Sequence, residues 1–153
     1  MANVTAIANF KNQMAYLPEG VRPVVESIMR FLPPEIIAAD SVGLFAFPAI
    51  ADTKQDVTTT AGARPLAIII LSHASAAVSY VQLWNVQSGS VTTGVNAWMT
   101  IPVSNTNNEV TAVAFFGQSW KRLWDTGMTI ASSSASETAA APSVPPDVWV
   151  LYG

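Results

Sequence analysis

RPLAIIILSHASAAVSYVQLWNVQSGSVTTGVNAWMTIPV, residues Arg64 to Val103, decides the fold class, because it holds three apolar runs separated by small polar residues. In the first, Leu66 to Ser72, three consecutive isoleucines sit in a run too short for a helix, bounded by Pro65 and by small residues after His73. β-branched side chains restrict χ1 and favour the extended chain, so this run predicts a strand buried on both faces. The second, Val78 to Val86, places Tyr80, Gln82 and Trp84 on one face and Ser79, Val81, Leu83 and Asn85 on the other. Gln87 to Ser90 then turns the chain. The third, Ala97 to Val103, alternates: Ala97, Met99, Ile101 and Val103 inward, Trp98 and Thr100 outward, with Pro102 marking an edge or a strand end.

Strand signals continue toward the C-terminus. Asn105 to Asn108 is a turn, since Asn tolerates left-handed backbone angles, and Glu109 to Phe116 alternates again until Gly117. Gln118 to Asp125 carries Trp120 and Trp124 four apart, which leaves helix and strand open. Met128 to Ala131 reads as a strand, Ser132 to Pro146 as a loop too poor in large apolar groups to pack, and Asp147 to Tyr152 as the last strand.

Before the body, Ser41 to Phe47 is a strand closed by Pro48, and the Thr-rich stretch from Ala51 to Ala63 is an edge strand around Asp56 to Thr60 or a loop. Residues 1 to about 32 have helical periodicity instead. Val4, Ile7, Phe10, Met14 and Leu17 recur at spacings of three and four until Pro18 and Gly20. Val21, Val24, Val25, Ile28, Met29 and Leu32 form a second stripe, with Glu26 and Arg30 a favourable i,i+4 pair, Pro23 in the first turn and Pro33-Pro34 as the stop. Such a stripe either packs on its own domain or docks on a neighbouring subunit. The expected architecture is all-β: a β-sandwich or jelly-roll-like barrel spanning residues 41–153, with residues 1–40 an N-terminal helical or extended arm.

Composition narrows function more by exclusion than by assignment. Only 11% of the 153 residues are charged, against about 25% in an average soluble domain. A lone monomer needs charge to keep its surface free of sticky patches, so the deficit points to a surface covered by other protein, the alternative being a surface of Ser, Thr and Asn. The net charge of −3 and scattered basic residues give no footprint for nucleic acid. The first residues lack the basic and apolar regions of a signal peptide, and Leu66 to Leu71 is far shorter than the ~20 residues of a membrane span.

No catalytic residues emerge. Cysteine is absent, and the single histidine, His73, stands beside Ser72 and Ser75 with no acid or oxyanion hole announced behind it. No carboxylates or imidazoles stand at metal-ligand spacing, and no phosphate-binding glycine loop occurs, so no metal or cofactor is expected. The five tryptophans fill a core or interface, or stack on sugar.

The segments YVQLWN (Tyr80 to Asn85), WMTIPV (Trp98 to Val103), DTGMTIASSS (Asp125 to Ser134) and DVWVLYG (from Asp147) appear in an order that resembles the small β-sandwich structural proteins of tailed-phage virions. The resemblance covers roughly the last 90 residues and implies a non-enzymatic virion protein. A capsid decoration or cement protein is the leading expectation, and a tail, neck or fibre component with a carbohydrate-binding β-sandwich the alternative. It further implies a homo-oligomer, with a trimer as the expected form, and contacts to the major capsid protein or other virion proteins. Assembly would take place in the host cytoplasm, without nucleic acid or membrane as partner. The residues expected at interfaces are Phe10, Val24, Ile28, Met29, Trp98, Trp120 and Trp124.

Overall fold

The computed structural model describes residues 14–31, 43–57, 65–73, 78–85, 97–114, 128–136 and 140–152. Helix α1 spans Arg22–Phe31, with Pro23 in its first turn. Among the described residues it is followed by eight strands: β1 Gly43–Phe47, β2 Gln55–Asp56, β3 Pro65–Leu71, β4 Ser79–Trp84, β5 Met99–Val103, β6 Val110–Ala114, β7 Thr129–Ser133 and β8 Asp147–Tyr152. Of the stretch from Ala51 to Ala63, open between edge strand and loop in the sequence, the described residues end at Val57 and include β2, while 58–63 lie outside them.

The pairing obeys one rule. β4 pairs with β5, β3 with β6, β2 with β7 and β1 with β8, all antiparallel, so the chain doubles back on itself as one long hairpin. Two further pairings, β3 with β8 and β4 with β7, roll that hairpin into two four-stranded sheets, β1-β8-β3-β6 and β2-β7-β4-β5. This is the jelly-roll form of the β-sandwich, as the strand pattern predicts.

Register explains why β3 is apolar throughout. Ile68 and Ile70 lie beside Val150 and Val148, with Phe47 next along that face; Ala67 and Ile69 lie beside Leu151 and Trp149, with Leu44 and Ala46 beyond. The two sets point to opposite faces because side chains alternate along a strand. The first set meets the inner face of the second sheet, where Val81, Leu83, Ile101, Val103 and Ile130 are buried. Over the second set lies a helical layer: Tyr16 and Leu17 share a groove with Leu44, Ala46 and Trp149, and a Cβ on Gly20 would lie 3.7 Å from Val110 of β6. The layer thus crosses the sheet from β1 toward β6, and Leu17, Val21, Val25 and Ile28 join the single core cluster. Each such side chain contributes roughly 1.5–3 kcal/mol on burial. Arg22 ties the layer together, donating to the Met14 and Ala15 carbonyls at 3.2 and 3.0 Å.

The stretch after β7 departs from the sequence expectation. Ser132 and Ser133 complete β7, and the segment beyond them packs although it offers few large apolar groups: Pro142 and Pro146 are buried. Polar contacts replace apolar ones there. Gln82, itself buried, donates to the Ala135 and Ser136 carbonyls at 3.3 and 3.0 Å, and Ser133 Oγ accepts the Ala135 and Ala140 N–H groups, both at 3.1 Å. A residue with two amide hydrogens aimed at two carbonyls holds a strap over the outer face of β4, where the alternation alone showed only a polar side chain.

Candidate interaction surfaces

The histidine has a definite structural place. His73 Nε2 and Asp147 Oδ2 are 2.7 Å apart, and Asp147 Oδ1 accepts the Ala49 N–H at 2.7 Å. One carboxylate therefore joins the end of β3, the start of β8 and the turn after β1, where Ala49 has φ 46° and a left-handed backbone. The acid behind the imidazole, which the linear sequence does not announce, arrives because β3 and β8 pair with Leu71 opposite Asp147. No nucleophile completes the set among the described residues. Ser72 Oγ is engaged by the Thr106 and Glu109 carbonyls of the β5–β6 turn, and Ser75 lies outside the described residues. The one hydrogen of the Ser72 hydroxyl is directed at these carbonyls while the oxygen accepts the Glu109 N–H at 3.3 Å, so the hydroxyl is tied into a turn and is not an activated oxygen. Among the described residues no three His, Cys, Asp or Glu side chains gather to hold a metal ion.

The expected interface residues separate into distinct environments. Ile28 belongs to the core, and Val24 and Met29 are half-buried against it. Trp98 is 44% exposed just before β5. Phe10, Trp120 and Trp124 lie outside the described residues. The antiparallel register of β4 and β5, carried one step past Leu83 and Met99, sets Trp98 opposite Trp84. Trp84 is buried, and Lys54 Nζ stands 5.8 Å from its ring centre, within cation–π range.

Three exposed aromatics are absent from that expectation: Phe45 of β1, whose ring lies against Tyr152, and two in the helical layer. Tyr16 is 88% and Phe31 75% exposed. Their signal was present in the sequence: both are large apolar residues that fall off the helical stripes. Phe31 borders a groove of about 300 Å³ with Pro23, Val24, Ser27 and Ile28 on one flank of α1, while Arg22, Glu26 and Arg30 occupy the other. The apolar sector of the helix is therefore wider than the strip that its own sheet covers.

The sheet edges complete the surface. Among the described residues, β2 and β5 border one sheet and β1 and β6 the other. β2 is only two residues long, and β5 carries an exposed Pro102. β6, VTAVA, has neither a proline nor a charge, and none of its residues is fully buried. No helix among the described residues is long and apolar enough to cross a membrane.

No protein-family model matches the sequence, and no curated protein matches it. Among solved structures, the coat protein of Tobacco streak virus is similar over 80% of this chain and 90% of its own, with 10% identity and a TM-score of 0.37. A likeness at that level carries no argument about function.

Proposed function

We propose that this chain is a non-enzymatic virion structural protein, and more narrowly a capsid decoration or cement protein that works through subunit contacts. One observation carries the reading: a jelly roll that leaves Tyr16, Phe31 and Trp98 exposed, in a chain of which only 11% is charged. Jelly rolls serve capsids, lectins and cupins alike. The engaged Ser72 and the structural His73–Asp147 pair weigh against a hydrolase, and the resemblance of the last 90 or so residues to tailed-phage virion proteins supports a place on a virion, in the head, neck or tail alike. The protein acts by area. Repeated contacts of roughly the standard 1,600 Å² hold a shell by avidity, with no single strong contact required. Its partners are other copies of itself, in a trimer or another ring, and the major capsid protein or other virion proteins.

Two measurements test this. Sedimentation velocity of the purified full chain should show discrete oligomers at micromolar concentration; a monomer throughout refutes obligate self-assembly. Immunogold labelling of tailed-phage particles that encode the chain should decorate the head surface. Label at the tail tip or a fibre would instead favour the carbohydrate-binding alternative, which Trp98 supports by its exposure. Glycan binding abolished by Trp98→Ala, with folding intact, would establish that second reading.

A further inference from the structure

We draw no further inference here: the strongest candidate, the apolar groove that Pro23, Val24, Ser27, Ile28 and Phe31 line on one flank of α1, is an unpartnered helix face, and nothing in the structure shows what covers it.

Discussion

Replacing Val25 by alanine tests whether the helical layer belongs to the domain that carries it. Val25 is fully buried in the core cluster with Val21, Leu17 and Ile28. Its truncation removes two methyl groups, worth about 0.8 kcal/mol each by transfer, and leaves a cavity that the rigid sheet beneath cannot fully close. The expected cost is about 2–3 kcal/mol. Val24, one residue earlier and half-buried on the groove flank, should cost under about 1 kcal/mol when cut to alanine. With a urea dependence of about 2 kcal/mol/M, the first change lowers the unfolding midpoint by about 1 M and the second by less than half of that. The comparison should be run at two protein concentrations about a hundredfold apart. Packing within one chain makes the difference between variants independent of concentration. A shift that grows on dilution, or none at all, would show that the helix packs on a neighbouring subunit and refute this account of the core. By the same reasoning, a chain beginning at Ser41 loses four buried side chains, together about 6–12 kcal/mol. That rivals the whole stability of an ordinary domain, about 5–15 kcal/mol, so this shortened chain should fail to fold.

Three other sets of substitutions probe the polar contacts and the backbone. Asp147→Ala should cost about 1–2 kcal/mol in thermal unfolding, because it strands the Ala49 N–H, and His73→Gln under about 1 kcal/mol; a greater loss from His73 would contradict the assignment of Asp147 as the central group. Gln82→Leu keeps the volume but removes both donors to the Ala135 and Ser136 carbonyls. It should cost about 1–3 kcal/mol and speed proteolysis near residues 134–136, and unchanged cleavage would show that the strap is held by something else. Two non-glycine residues among those described have positive φ, Ala49 at 46° and Asn108 at 59°. Ala49→Gly should raise stability by up to about 1 kcal/mol and Asn108→Ala should lower it by about as much, since alanine carries the left-handed cost without a side-chain amide to offset it. Equal signs for the two changes would refute that reasoning.

Local chemistry alone was enough for α1 and for most of the strands and their buried faces; β2 and the end of β7 were the exceptions. Alternation in Ala97 to Val103 places Ile101 and Val103 inward and Trp98 outward because the period of a strand is two, whatever it pairs with. The isoleucine run announces burial on both faces, since no half-solvated strand would leave Ile68, Ile69 and Ile70 all apolar. Pro23 and the stripe through Val25 and Ile28 set the helix. Which strands meet was legible only in three dimensions, because pairing is fixed by burial and closure of the whole sandwich and not by any one segment. His73 and Asp147 are 74 positions apart, and Gln82 and Ser136 are 54 apart; each pair becomes chemistry only through the β3–β8 and β4–β7 pairings.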